Sequence, residues 1–289
     1  MELNPDKLLR EMRKYQKQLA QHEKEKDKLH LKQWRGMGYS DANMAKQLKS
    51  MDIDPKVFLK EAATLGKKIQ GTHRVLMNFP RPPFIPGDGV FQIPPDPNVF
   101  DIAPPAVDGF GGGQFSDADC GFNLALGETN FQVSYQGSGW GWDGGPSGLL
   151  HYSTLVFSFV PPRSGNIEVN PYIDFKGSYA ISAHDHWYSS TEATFRLKAT
   201  SRLFQHYWEY GPSVTLIRDI FTDSEESGWV TSIVNPSYTT SVSSNDPVLI
   251  YVEIEMLAGA RSSMARVDVD FKTGAFRRVK VPLIRIRYL

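Results

Sequence analysis

Residues 248–289 read VLIYVEIEMLAGARSSMARVDVDFKTGAFRRVKVPLIRIRYL, and the period of this stretch decides the fold. Val252, Ile254 and Met256 alternate with Tyr251, Glu253 and Glu255. Ala265, Val267, Val269 and Phe271 alternate with Arg266, Asp268 and Asp270. Successive side chains of a strand point to opposite faces, so each run predicts a strand with one apolar, buried face and one polar, wet face. Lys272-Thr273-Gly274 reads as a turn into a last strand over 276–289. That strand carries Pro282, which lacks an N–H and suits an edge or a bulge. Arg285 and Arg287 on its wet side are placed to discourage pairing along a free edge.

The same period extends upstream. Ala193, Phe195, Leu197 and Ala199 alternate with Glu192, Thr194, Arg196 and Lys198. Clusters rich in Pro, Gly, Ser and Asn separate the runs: 161–165, Gly211-Pro212, Asn235-Pro236-Ser237 and 244–247. Eight to ten short strands with no helical pattern between them predict an antiparallel β-sandwich or jelly roll over 116–289. The fold class expected is therefore mainly β, preceded by two or three helices and a Pro-rich extended strap.

The strap is residues 75–115. Nine of the 19 prolines fall between Pro80 and Pro105, a density that favours extended backbone and forbids a helix or a central strand. Phe79, Phe84, Ile85, Val90, Phe91, Ile93, Val99, Phe100 and Ile102 make it too apolar for an idle linker. It is expected to lie on the sandwich or on a neighbouring subunit. Gly111-Gly112-Gly113 is no phosphate loop, because no GK[ST] follows.

Residues 1–74 form a basic helical segment, expected to serve docking or oligomerisation. Leu8, Met12, Tyr15 and Leu19 share one helix stripe, which suits packing on the protein itself or a short coiled-coil arm between copies. Ser40 opens a second helix with Met44, Ala45 and Leu48 as its apolar side. Asp54-Pro55 caps a third, with Val57, Phe58, Ala62, Leu65 and Ile69 inward. The link between the second and third is long for a helix-turn-helix and lacks its glycine, so nucleic-acid recognition is not expected.

Formal charge sums to zero over 289 residues but is unevenly placed. Residues 1–74 hold 17 Lys/Arg and 10 Asp/Glu, hence +7; residues 75–160 hold one and eight, hence −7; the remainder is balanced. The single cysteine, Cys120, excludes an internal disulfide. The N-terminal sequence lacks the apolar core of a signal peptide, which predicts cytoplasmic synthesis, with release by a signal-independent route left open. No apolar run reaches the roughly 20 residues of a membrane span.

Three groups stand out as sites. Trp140 and Trp142, with Asp143, lie in the glycine-rich run GSGWGWDGGPSG; flat aromatics on sandwich loops stack on sugar rings, and the alternative is packing on the sandwich. In His184-Asp185-His186-Trp187, a strand would point His184 and His186 to one side, as two ligands of zinc can, with His206, Glu209 or Asp174 as a third; Trp187 adds a contact surface. Asp117, Asp119, Asp143 and the 219–226 acidic cluster offer oxygens for calcium without a recognised loop spacing. No cofactor is predicted, and a divalent metal (Zn or Ca) stays a secondary expectation.

No catalytic motif emerges: there is no GxSxG, and no sequence neighbour activates Cys120. The reading preferred is a non-enzymatic structural or binding protein. Its sandwich meets a partner, and its helical segment docks it into a homo-oligomer or a larger assembly with other proteins. The alternatives are a carbohydrate- or cell-surface-binding module of a toxin or phage-like fibre, using the Trp140/Trp142 loop, and a metal-dependent or carboxylate-based hydrolase.

Overall fold

The computed structural model describes residues 10, 14, 18, 21, 25, 28, 29, 32, 33, 40–57, 60, 63, 64, 67, 96–113, 120–137, 148–184, 191–221, 224–274 and 276–289. Among these, α-helix is confined to the first 67 positions, strand begins at Val99, and a 3-10 turn spans Leu124–Leu126. Helix α1 spans Asp41–Ser50; the Ser40 hydroxyl accepts from the Asn43 N–H at 3.2 Å and closes its first turn. Leu48 on its apolar side is fully buried. Asp54 likewise takes the Lys56 N–H at 2.8 Å, the expected cap of the next helical stretch. Val57, expected inward there, is 54% exposed instead, one turn from a helix end where its stripe meets solvent.

Thirteen strands follow among the described residues: β1 Val99–Ile102, β2 Asp108–Gly113, β3 Cys120–Asn123, β4 Glu128–Gln136, β5 Gly148–Phe159, β6 Gly165–Ala183, β7 Glu192–Phe204, β8 Trp208–Phe221, β9 Ser224–Val234, β10 Tyr238–Val242, β11 Val248–Arg261, β12 Ala265–Asp270 and β13 Arg278–Tyr288. They form two antiparallel sheets, a β-sandwich. The five-stranded sheet runs β2-β5-β11-β7-β8. The eight-stranded sheet follows β1-β13-β4-β12-β6-β10, with β3 on β4 and β9 on β6. The chain changes sheet after β1, β2, β4, β5, β6, β8, β10 and β11, so the turn clusters at 161–165 and 244–247 are crossings between layers.

Strand β6 organises the larger sheet. On one side it pairs β13 over 167–176 and β12 over 178–183; on the other it pairs β10 over 165–169 and β9 over 173–183. Each neighbour is thus one strand line with an interruption. Between β9 and β10 the interruption is Asn235-Pro236-Ser237, facing Pro171 of β6, which has no N–H to contribute to a ladder. Between β12 and β13, residues 271–277 stand opposite the single residue Gly177, whose absent Cβ would lie 2.4 Å from the Phe271 ring.

The core fills the space between the sheets. Phe131, Phe175 and Phe271 meet at centroid distances of 5.0 and 6.1 Å, and Tyr179 lies 5.4 Å from Phe195. Both side openings of the sandwich are shut by rings lying on glycine. Phe122 of β3 rests against Gly109 of β2, where a Cβ would come within 2.7 Å of it, and Tyr238 of β10 rests on Gly211 of β8 at 2.5 Å.

Four details differ from the sequence reading. Residues 99–102 and 108–113 of the strap are strands at sheet edges, β1 against β13 and β2 against β5. Pro282 does sit in a bulge, between Lys280 and Leu283, but β13 is no edge: β1 covers it, and Arg285 grips Asp101 through two bonds of 2.8 Å. Gly211-Pro212 is not a turn between strands but a bulge inside β8, an edge strand where a missing N–H is tolerated. Finally, the polar faces of β11 and β12 are not wet: Tyr251, Glu253, Arg266, Asp268 and Asp270 are buried. Long side chains lie flat across these faces and cover them. Arg266, for example, bonds Asp268 through Nε and Nη2 at 2.5 and 2.9 Å and Ser134 at 2.7 Å.

Candidate ligand-binding face

The β7–β8 hairpin turns at Gln205-His206-Tyr207. Gln205 is buried and bolts that turn to the β10–β11 connection. Its Nε2 donates to the Ser243 and Asp246 carbonyls at 2.8 and 2.9 Å, and its Oε1 accepts the Ser243 N–H at 2.8 Å. All donors and acceptors of the amide are engaged on backbone, so the hairpin end is held rigidly. Beside it lies a depression of about 110 Å³ lined by Gln205, His206, Glu209, Ser241 and Ser243. His206 faces Asp246 at 3.6 Å on its rim.

Fixing that turn fixes a row of aromatic rings on the outer side of the five-stranded sheet. Phe204 pairs with Trp208 across the hairpin at 5.0 Å between centroids; Trp208 contacts Tyr251 of β11 at 5.0 Å and Tyr210 at 6.4 Å. The row grades outward. Tyr251 is fully buried, together with Phe110, Val156 and Leu249, Trp208 is half-buried, and Tyr210 and Tyr207 are 63% and 57% exposed. The guanidinium of Arg202 lies 5.2 Å over the Tyr210 ring, a cation–π contact that holds the ring's orientation while its other face meets solvent.

A line of charges continues from the rings along β7 and β11. Arg202 Nη2 donates to Glu253 Oε1 at 2.8 Å. Further along, Arg196 and Lys198 both reach Glu255, at 2.5 and 3.3 Å. The register places Lys198 directly opposite Glu255 and Tyr251 directly opposite Arg202, so the pattern is a cross-strand ladder on one face. Burial holds the Tyr251 phenol well above its ordinary pKa, and the charge of Asp108 adds to the effect. The Tyr251 hydroxyl therefore stays neutral throughout the physiological range, and it is buried without a hydrogen-bond partner among the described residues.

The other positions singled out in the sequence fall elsewhere. His184 directly follows β6; its backbone N–H donates to the Met264 carbonyl and its Nε2 stands 3.9 Å from Glu225. The partners suggested for it are not brought to it: Asp174 is ten residues away along β6 and pairs with Lys176 at 3.0 Å, and His206 is paired with Asp246. Among the described residues no three His, Cys, Asp or Glu side chains gather in one place. In the acidic cluster Glu226 accepts the Tyr179 hydroxyl. Cys120 packs inside the sandwich with its sulfur 3.8 Å from Ser153 and 3.9 Å from Thr129. Leu8, Met12, Tyr15, Leu19, Trp140, Trp142, Asp143, His186 and Trp187 lie outside the described residues. Among those described, no helix is long and apolar enough to cross a membrane.

The face itself was missed in the sequence because Trp208 and its neighbours read as core. One signal was present: Arg196, Lys198 and Arg202 on one run and Tyr251, Glu253 and Glu255 on another share a period of two, so each set occupies one face.

No family model matches the sequence, and no curated protein matches it. Among solved structures the chain is similar to TmCBM61 in complex with β-1,4-galactotriose, at 11% identity and TM-score 0.24, over 63% of this chain and 94% of that one. It is also similar to Arthrobacter globiformis T6 isomalto-dextranase complexed with panose, at 9% identity and TM-score 0.21, over 67% of this chain and 24% of that one. A third similarity is to infectious bursal disease virus, Gt strain, at 15% identity and TM-score 0.17, over 65% and 35% of the two chains.

Proposed function

We propose that the protein is a non-enzymatic binding module and that its ligand is a carbohydrate held on the outer face of the β7–β8 hairpin. The observation that carries this reading is the graded aromatic row ending in exposed Tyr210, oriented by Arg202 and bordered by buried carboxylates. A sugar ring presents apolar C–H groups to an aromatic face and hydroxyls at its rim. The first need a flat ring; the second need both donors and acceptors within reach. Tyr210 supplies the ring, Arg202 the donors, and Glu253 with Glu255 the acceptors.

The test is a glycan array probed with wild type, Tyr210→Ala and a Trp140→Ala/Trp142→Ala double variant. Loss of signal in Tyr210→Ala with an unchanged melting profile supports the face described. Loss only in the double tryptophan variant moves the site to the loop, and a wild type silent on every glycan ends the reading.

A second proposal is self-association through the N-terminal helical segment. Leu29 is 55% exposed, and the other described positions from Arg10 to Gln33 are exposed too, so this side of the segment is open to a second copy. Light scattering that finds a monomer across pH and salt would remove it.

A further inference from the structure

Charge on this face is not balanced end to end. At the far end from the aromatic rings two cations, Arg196 and Lys198, share the one carboxylate of Glu255, which leaves one positive charge in excess (two minus one). Arg196 spends Nη2 on Glu255, and its Nε is buried with no acceptor among the described residues. At the aromatic end the Nε of Arg202 and the hydroxyl of Tyr251 are likewise buried without acceptors among the described residues. These three atoms are shut off from solvent, so what the face offers a ligand at its two ends is the exposed Tyr210 ring and the partly exposed, surplus charge of Arg196 and Lys198. Arg196 and Arg202 are six residues apart on β7, which is about 20 Å of strand.

We propose that the ligand is an extended acidic oligosaccharide, with a sugar ring on Tyr210 and a carboxylate or sulfate group on Arg196 and Lys198. The proposal rests on the carbohydrate reading above and specifies its chemistry. A single terminal sugar reaches only one of the two places, whereas a chain of several residues spans both. A neutral chain leaves the excess charge uncompensated. An anionic substituent compensates it and makes charge-assisted hydrogen bonds, roughly twice as strong as neutral ones. Arg196, with Nη2 on Glu255 and Nε buried, acts on the anion as a positive charge beside Lys198 and serves carboxylate and sulfate alike. Single-stranded nucleic acid also combines flat rings with anions. Its phosphates would have to pass Glu253 and Glu255, however, to which sugar hydroxyls donate instead.

The full chain should be titrated by calorimetry against polygalacturonate, dextran sulfate, unmodified dextran and oligo-deoxythymidylate. The expected result is tightest binding to one of the two acidic glycans, the carboxylated and sulfated polymers telling the two anions apart, with affinity falling between about 50 and about 300 mM salt. Arg196→Gln and Lys198→Gln should each weaken that binding roughly tenfold and Arg196→Lys should retain most of it. Side chains at these positions are 37% and 29% exposed, so the variants should keep the wild-type circular dichroism and melting profile. Equal affinity for unmodified dextran, unaffected by salt or by Arg196→Gln, would overturn the acidic ligand and leave the carbohydrate reading standing. Preference for the oligonucleotide would overturn it in favour of nucleic acid. Failure to bind any of the three glycans, together with a silent array, would remove the carbohydrate reading itself.

Discussion

Tyr210 and Gly211 are adjacent and do opposite work. Tyr210 stands out from the sheet, so Tyr210→Ala should leave stability within about 0.5 kcal/mol of wild type while abolishing ligand binding. Gly211 is where β10 rests on β8. A methyl there meets the Tyr238 ring at 2.5 Å and the Ser201 carbonyl at 2.7 Å, and a carbonyl cannot swing aside. Gly211→Ala should cost about 1–3 kcal/mol, read as a lowered urea midpoint at unchanged slope. The buried phenols make a third prediction. Burial raises the pKa of Tyr238 and Tyr251, so the native state keeps their protons when the unfolded chain releases them, near pH ~10. Their stabilising contribution is intact below that pH and is lost as pH rises beyond it. Equilibrium unfolding should therefore grow easier above about pH 10, and Tyr251→Phe should flatten the slope.

At the scale of the elements, β1 is the clearest case of a short strand held by few contacts. Phe100 lies 6.0 Å from Phe159 and 5.7 Å from Tyr288, and Asp101 holds Arg285 from an exposed position. Phe100→Ala should destabilise by about 2–3 kcal/mol, whereas Asp101→Ala should cost at most about 1, because that pair is open to solvent; thermal melts of the two variants compare them directly. Strands like β7 were legible in the sequence because Ala193 to Ala199 alternate with polar residues. β1 and β2 were not, because prolines and glycines dominate their segment and a strand that leans on a distant partner needs no period of its own. The polarity of Glu253 and Asp268 was legible too, but not their burial: that depends on arginines from neighbouring strands, which only register brings alongside. The aromatic face was hidden for the same reason, since Tyr251 and Trp208 are 43 residues apart in sequence and 5.0 Å apart in space.

For the molecule as a whole, the two sheets divide the labour. The five-stranded sheet carries the rings and the charge ladder, while the eight-stranded sheet carries a hydrogen-bonded polar lattice that includes Arg266, Asp268 and Asp270. Between β12 and β13, on that second sheet, the chain leaves β6 at Asp270 and returns to it at Arg278 in the same line. Gly274 sits in this excursion in a left-handed conformation, and a side chain added there would meet nothing within 4 Å. The strand on either side is already held by β6, so continuity of the peptide at Gly274 contributes little to alignment. A foreign tag or a fluorescent label spliced in at Gly274 should leave the melting temperature within a few degrees of wild type. It would ride on the layer that does not carry the proposed ligand face, which makes this loop the natural handle for immobilising the protein with that face turned outward.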